Sequence, residues 1–368
     1  MEGMLKSFQV VNYRGFSKAI EWNLERTGNY QFNGGAISGG IVRNGIVYGP
    51  NGSGKSSLSL AVFDITNHLS QKKRKPDYYD NFVNLAAPDK NVSFQYQFVF
   101  DDKELLYDYS KDSQGNIVTE RLEASGKLVF DHQGQDLEIS RKFGIPDSVI
   151  RKIAASANSI SIVNYLLSSV PLSEDHYLMK LQRFVNSMLW FHGREIREFI
   201  GIDAQPTLIE EFFIRNKMLS DFEQFLKNES GQSLHLTTLD GDDKQVYVEM
   251  NGHKARFNSI ASTGTQELEL LYFWYKRMSE ASFVFIDEFD AYYHYELSYN
   301  ICKKLFKMKC QTFLTTHNTS LLTNDLLRPD CYFIVYDNEI NPLNVMTDKE
   351  LRQGHNIEKL YRGKTFGV

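Results

Sequence analysis

Apolar and polar residues change their period several times along this chain, and each change predicts an element. Residues 5–11 mix apolar and polar β formers, and a similar stretch runs to Leu24 before a glycine-rich segment at 34–45. Ile46-Val47-Tyr48 is a short apolar run cut off by Gly49-Pro50, the pattern of a buried strand ending in a turn. From 55 to 65 the apolar residues Leu58, Leu60, Ala61, Val62 and Ile65 predict the helix that follows. At 92–100, Val92, Phe94, Tyr96, Phe98 and Phe100 fall on every second position, the period of a half-buried strand. Further strands are predicted at 105–109, 117–122 and 127–130, punctuated by Gly115, Gly126 and Gly134, so this block reads as an antiparallel meander.

Between 146 and 228 the period becomes helical. Val149, Ile153, Ile160, Val163 and Leu167 show it first, then Leu178, Leu181, Phe184, Val185, Met188 and Leu189. A last helix is predicted over 210–227, with Phe212, Phe213, Met218, Phe222 and Phe225. No heptad is sustained, so no long coiled-coil arm is expected. Asn251-Gly252 between 246–250 and 253–257 predicts a hairpin, because both residues tolerate the left-handed dihedrals of a type I′ turn. Beyond it a helix at 265–279, a strand at 283–286, a helix at 292–307 and strands at 312–315 and 332–336 alternate. That order argues for a parallel sheet covered on both faces. The expected fold class is α/β: an N-terminal lobe at 1–144 with an antiparallel β region, an inserted helical subdomain at 145–230, and a C-terminal lobe at 231–368.

Composition narrows the picture little. Hydrophobic residues make up 42% and charged residues 24%, an ordinary globular balance. A net charge of -5 is not that of a basic nucleic-acid coat, although it leaves room for a local basic groove. The run Lys72-Lys73-Arg74-Lys75 reads as a solvated loop or helix end, with a nucleic-acid contact as the alternative, so DNA stays open as a partner. Cys302, Cys310 and Cys331 are not spaced as a zinc site, and a reducing, cytoplasmic compartment is expected. No window reaches eighteen apolar residues and no secretory signal opens the chain, so no membrane association is expected.

The chemistry concentrates in four places. Gly49-Pro50-Asn51-Gly52-Ser53-Gly54-Lys55-Ser56-Ser57 fits G-x-x-x-x-G-K-[ST] between a predicted strand and a predicted helix. Its glycines let backbone amides curl around phosphate oxygens, and the helix start offers further unpaired amides. Lys55 is placed for the β and γ phosphates of ATP and Ser56 for Mg²⁺. The strand at 283–286 ends in Asp287-Glu288: the first carboxylate is a candidate Mg²⁺ ligand and the second a candidate to polarise the attacking water. His317, after a second strand, is a candidate contact for the γ-phosphate or the water. Ser262-Thr263-Gly264-Thr265-Gln266 precedes an apolar helix; Thr263 and Gln266 have capping-box spacing, and the same helix start is an anion site. One nucleotide does not need two such sites from one chain, so a second copy of the protein is the natural recipient.

With these residues in place the chain resembles a compact bacterial SMC/ABC-type AAA family ATPase, the group that includes RloA-like proteins and the ATPase parts of OLD-family anti-phage proteins. The opening Met4-Leu5-Lys6-Ser7-Phe8 with Asn12-Tyr13-Arg14-Gly15-Phe16, the phosphate loop, the signature Ser262 to Gln266, Asp287-Glu288 with Asp290, His294 and Leu297, Thr315-Thr316-His317-Asn318, and the ending Leu360-Tyr361-Arg362-Gly363-Lys364 with Gly367 carry the likeness. It implies an ABC/SMC-type P-loop ATPase head in which Ser262, Gly264 and Gln266 act in trans on ATP held by a partner subunit. Two heads would sandwich two ATP molecules in a homodimer. His294 would lie near the segment linking the two sites. Relatives also carry a Mg²⁺-sensing glutamine loop, which Gln95 and Gln97 match poorly. OLD-type nucleases add a metal-dependent nuclease domain, and no fresh cluster of acids follows His317, so a separately encoded nuclease or toxin effector is implied.

The expected function is therefore Mg²⁺-dependent ATP hydrolysis driving head dimerisation in an anti-phage defence system. Two alternatives stand beside it: a RecF-like DNA-repair ATPase that grips duplex DNA, and a nucleotide-gated scaffold with negligible turnover. Intact Lys55, Asp287 and Glu288 argue against the scaffold.

Overall fold

The structure is a computed structural model that describes residues 3–70, 78–155, 157, 159–193, 199–201, 209–239, 241 and 244–368. The basic run at 72–75 lies outside the described residues. Two seven-stranded sheets dominate. One is antiparallel throughout, in the order Asp136–Ile139, Lys127–Gln133, Ile117–Ala124, Lys103–Lys111, Val92–Phe100, Met4–Val11 and Ile20–Asn23. Along Val92–Phe100 every second residue from Val92 is buried, as the period-two pattern requires of a sheet with one face on the core.

The second sheet runs Phe199–Gly201, Leu189–His192, Phe283–Asp287, Gln311–Thr315, Asn44–Tyr48, Tyr332–Tyr336 and Glu339–Pro342. Its inner strands are parallel and its two outer strands antiparallel. Every residue of Asn44–Tyr48, Phe283–Asp287 and Gln311–Thr315 is buried, which accounts for the continuous apolar runs of these strands. The strand that precedes the phosphate loop therefore lies in the middle of the sheet, beside the strand that precedes His317 and one strand away from the strand ending in Asp287. This order gives an α/β architecture and brings the phosphate loop, Asp287-Glu288 and His317 to one edge of one sheet.

The two sheets share a core. Trp22, on the outermost antiparallel strand, packs its ring against Phe285, Phe313 and Phe333 of the parallel sheet, with centroids 6.0, 4.6 and 5.7 Å away. Burying one such ring contributes about 1.5–3 kcal/mol. Gln311 ties the sheets by polar bonds: its Oε1 accepts Leu5 N–H at 2.7 Å and its Nε2 donates to the Leu5 carbonyl at 3.0 Å. Behind the phosphate-loop helix Lys55–Val62, the helix Asp64–Leu69 is fastened to the antiparallel sheet by a buried ion pair. Asp64 Oδ2 accepts from Lys111 Nζ at 2.6 Å and from Tyr109 OH at 2.8 Å.

Two helical predictions are corrected by the structure. The run from Leu178 to Leu189 is not one helix: Tyr177–Asn186 ends where Ser187 Oγ bonds back to the Arg183 carbonyl at 2.7 Å, and Leu189–His192 becomes a strand of the parallel sheet. A short apolar run has no period of its own to separate strand from buried helix, and pairing with Phe283–Asp287 decides it. The segment at 210–227 is likewise two helices, Ile209–Arg215 and Leu219–Ser230, broken at Lys217, whose φ of 55° no α-helix accommodates. The hairpin Tyr247–Met250 and His253–Arg256 forms as predicted, with Asn251 and Gly252 at φ 51° and 76°.

Candidate functional site

Strand Asn44–Tyr48 delivers the chain into the loop at 49–54, and helix Lys55–Val62 leaves it. Gly54 caps that helix at φ 103°, and a Cβ on it would stand 2.5 Å from the Phe16 ring. A Cβ on Gly49 would meet Ser53 Oγ and the Val335 carbonyl at 2.5 Å. One glycine thus supplies a left-handed dihedral and the other a close approach of backbones. Lys55 is buried, and its Nζ donates to the carbonyls of Gly49 at 2.9 Å and Pro50 at 3.1 Å. Burial draws the Lys55 pKa below its ordinary value, while the carboxylates of Asp287 and Glu288 act in the opposite sense.

Asp287 and Glu288 stand at the end of the next strand but one. Asp287 is buried; its Oδ1 accepts from Thr315 Oγ1 at 2.5 Å, and its Oδ2 has no hydrogen-bond partner among the described residues. A buried carboxylate oxygen without a donor is where a divalent cation fits. Among the described residues no group of three or more His, Cys, Asp or Glu could hold a metal by itself. Mg²⁺ takes one or two carboxylates and leaves its other positions to phosphate and water oxygens. Glu288 has φ 50°, a strained conformation for a non-glycine residue, and its N–H donates to Thr315 Oγ1 at 2.7 Å.

A cleft of about 810 Å³ has Asn51, Gly54, Lys55, Ser56, Glu288 and His317 in its walls. Gly52 and Ser57 line it as well. His317 is exposed, and its pKa is lowered by partial burial and then by the nearby Lys55 charge. Asp290, in the same wall, is buried; burial raises its pKa, against hydrogen bonds that include Thr316 Oγ1 at 2.6 Å.

The structure does not bring the signature segment into this cleft. Ser262 is the N-cap of helix Thr263–Arg277, its Oγ accepting the Thr265 N–H at 3.3 Å. The N-cap is therefore Ser262, one residue before the expected Thr263, and its hydroxyl meets Thr265 Oγ1 at 2.9 Å. Gln266 turns its side chain away to donate to the Asn258 carbonyl at 3.0 Å. A Cβ on Gly264 would lie 3.6 Å from the carbonyl of Tyr292, whose neighbours Ala291 and Tyr293 line the cleft. Gln95 and Gln97 are both on strand Val92–Phe100, bonded to Asp108 at 2.6 Å and Ser7 at 3.3 Å, and neither lines the cleft.

One residue beside the acids was not legible beforehand. His192, at the end of strand Leu189–His192, is registered opposite Asp287, and its Nε2 lies 3.8 Å from Glu288 Oε2. No motif or spacing links His192 to Glu288 in the sequence; the parallel register alone does.

Sheet order, glycine loop and acid-tipped strand define an α/β domain with a phosphate-binding loop. The chain belongs to the family described as AAA domain, putative AbiEii toxin, Type IV TA system, whose model matches residues 46–323. That span runs from the phosphate-loop strand past His317 and takes in the signature and both acids; membership implies use of a nucleotide. No curated protein matches the sequence. Among solved structures, the SMC head domain from Thermotoga maritima is similar at 13% identity and a TM-score of 0.44, over 92% of this chain and 98% of that one. The recombination mediator protein RecF–ATP of the RecFOR pathway is similar at 16% and 0.40, over 93% and 99%. The Smc head domain from Pyrococcus furiosus, with an extended coiled coil and bound to the C-terminal domain of ScpA, is similar at 13% and 0.43, over 92% and 95%. These likenesses are too loose to transfer any residue's role.

Proposed function

We propose that this protein is a Mg²⁺-dependent ATPase. The observation that carries the reading is the convergence of Lys55, Ser56, Glu288 and His317 on one cleft, with Asp287, whose Oδ2 has no partner among the described residues, next to Glu288 in the chain. The loop at 49–57 binds the phosphates through its amides and Lys55. Ser56 and Asp287 hold Mg²⁺, which when bound offsets charge on the phosphate oxygens. Glu288 orients and polarises the attacking water, and His317 bonds to the γ-phosphate or to that water. Residues 1–144 and 231–368 form the nucleotide-binding unit, and 145–230 is a helical subdomain that lends strand Leu189–His192 to its sheet.

Ser262, Gly264 and Gln266 lie outside the cleft of their own chain, which supports action in trans. The working unit is a head-to-head homodimer with ATP between the subunits, closing on ATP and loosening on hydrolysis. The description of the family as part of a toxin–antitoxin system supports a regulatory role in anti-phage defence, as in RloA-like and OLD-type ATPases, with a separately encoded nuclease or toxin as effector.

The test is ATP binding and turnover by wild type, Lys55→Ala and Glu288→Gln. Lys55→Ala should lose binding. Glu288→Gln should bind ATP but hydrolyse it about 10²-fold or more slowly, the usual worth of positioned proton transfer. Undiminished binding by the first variant, or wild-type turnover by the second, removes the reading.

A further inference from the structure

The strand Leu189–His192 touches both halves of the cleft. At one end Trp190, buried, donates its indole N–H to Ser59 Oγ at 3.0 Å. Ser59 in turn donates to the carbonyl of Ser56 at 2.9 Å, so Trp190 reaches the first turn of the phosphate-loop helix through one hydroxyl. Two residues on, and therefore on the same face of the strand, His192 sets its ring 6.5 Å from that of Trp190 and its Nε2 3.8 Å from Glu288 Oε2.

Gly193 completes the arrangement. Its N–H donates to the Asp287 carbonyl at 2.8 Å, and a Cβ on it would lie 2.5 Å from the Glu288 carbonyl oxygen. The chain at 192–193 is thus laid directly against the backbone of Glu288. Thr315 holds the same residue through its N–H at 2.7 Å. A non-glycine residue keeps a φ of 50° only when its surroundings over-determine it, and here two neighbouring strands do so. The backbone is held by Thr315 and Gly193; the carboxylate itself faces the imidazole. At 3.8 Å the two groups are direct neighbours, just beyond hydrogen-bond length.

We propose that His192 is a positioning residue for Glu288: its imidazole fixes the rotamer of the carboxylate over the cleft, and Trp190 keeps that imidazole in step with the phosphate-loop helix. The inference rests on Glu288 acting as the water-polarising carboxylate. It predicts an effect on turnover rather than on nucleotide affinity, because His192 acts on the residue that serves the transition state and not on the phosphates.

The experiment compares wild type with His192→Leu, His192→Gln, Glu288→Gln and the His192→Leu/Glu288→Gln double variant. It measures kcat, KM, equilibrium binding of labelled ATP and thermal midpoint. His192→Leu should lower kcat about 10- to 100-fold, the scale of losing an outer orienting contact, with ATP affinity unchanged. His192→Gln, which keeps an N–H donor at similar reach, should recover most of the rate. In the Glu288→Gln background His192→Leu should have no further effect. If His192→Leu lowers the thermal midpoint, His192→Asn, polar but one methylene short, takes its place in the comparison with His192→Gln. A wild-type kcat in His192→Leu, a glutamine variant no better than leucine, or losses that multiply in the double variant would each overturn the proposal. Glu288→Gln separates the two levels. If it is slow while His192→Leu is fully active, only the role of His192 fails; if it turns over like wild type, the role of Glu288 fails and that of His192 with it.

Discussion

Thr315 stands between the two acids of the cleft: its hydroxyl donates to Asp287 Oδ1 at 2.5 Å and accepts the N–H of Glu288 at 2.7 Å. One buried oxygen on a neighbouring strand thereby orients the candidate Mg²⁺ ligand and holds the backbone of the candidate water-polarising residue. With Oδ1 occupied, Asp287 presents Oδ2 as its free acceptor.

Thr315→Val removes that hydroxyl at nearly constant volume. The expected outcome is an ATPase rate about 10- to 100-fold lower, with a raised Mg²⁺ requirement, because outer-shell partners of metal ligands are worth that much. Thr315→Ser should recover most of both. Mg²⁺ titrations of steady-state turnover check this, and a valine variant with wild-type Mg²⁺ dependence counts against it.

Gly264→Asp should keep ATP binding but lose hydrolysis and ATP-dependent head closure. Gly264 is half-buried at a helix start outside its own cleft, and a carboxylate there would face a phosphate bound by the partner and be repelled. Turnover and the distance between spin labels on the two heads, with and without ATP in the Glu288→Gln background, are the measurements. Normal hydrolysis by Gly264→Asp, or a head distance insensitive to ATP, contradicts the sandwich dimer.

Lys111→Met should destabilise the protein by about 3–5 kcal/mol, because it leaves the carboxylate of Asp64 buried without its counter-ion. Among the described residues the hydrogen bonds left to Asp64 come from Tyr78 OH at 2.9 Å and Tyr109 OH at 2.8 Å. Burial pushes the Asp64 pKa up, but the Lys111 charge and these bonds outweigh it and hold it below the ordinary carboxylate range. Its contribution is thus present above that range and lost as pH falls through the lowered value, so the gap between wild type and variant should shrink on acidification. Urea denaturation across pH checks both the size and the sign. The paired change Asp64→Asn/Lys111→Met should regain much of the loss, since it buries no lone charge.

Glu269, on the helix that Ser262 caps, is buried with Oε1 unpartnered. Burial, and then the nearby Glu210 carboxylate, push its pKa up to about 8. At neutral pH the folded protein holds this proton and the unfolded chain does not, so Glu269 lowers stability as pH rises from the ordinary carboxylate range towards 8. Glu269→Gln should therefore stabilise the protein, with a gain that is small at pH 4 and grows up to about pH 8. Denaturant midpoints at several pH values test it; a gain independent of pH would contradict it.

Local patterns carried a large part of this protein. The alternation in Val92–Phe100 placed that strand to the residue, and Asn251-Gly252 placed the hairpin turn, because side-chain period and turn dihedrals are properties of neighbours in the chain. The strand–loop–helix around Lys55 and the apolar strand ending in Asp287 were legible for the same reason. Leu189–His192 was not. Its apolar residues continue the period of the preceding helix, and what makes it a strand is a free edge of the parallel sheet beside Phe283–Asp287. The break at Lys217 was equally silent, since Phe213 and Phe222 pack on the same Tyr272 from either side of it.

The sequence by itself determined most of the element types, the phosphate loop and the acid pair, each of which depends on residues within a few positions of one another. Only the tertiary structure decided which distant residues stand together. It put Thr315 across both acids, set His192 against Glu288 and Trp190 against the phosphate-loop helix, and kept Ser262, Gly264 and Gln266 out of their own cleft. The physical reason is strand order and register: side chains far apart in the chain become neighbours only when parallel strands pair, and that pairing leaves no periodic trace in either strand alone.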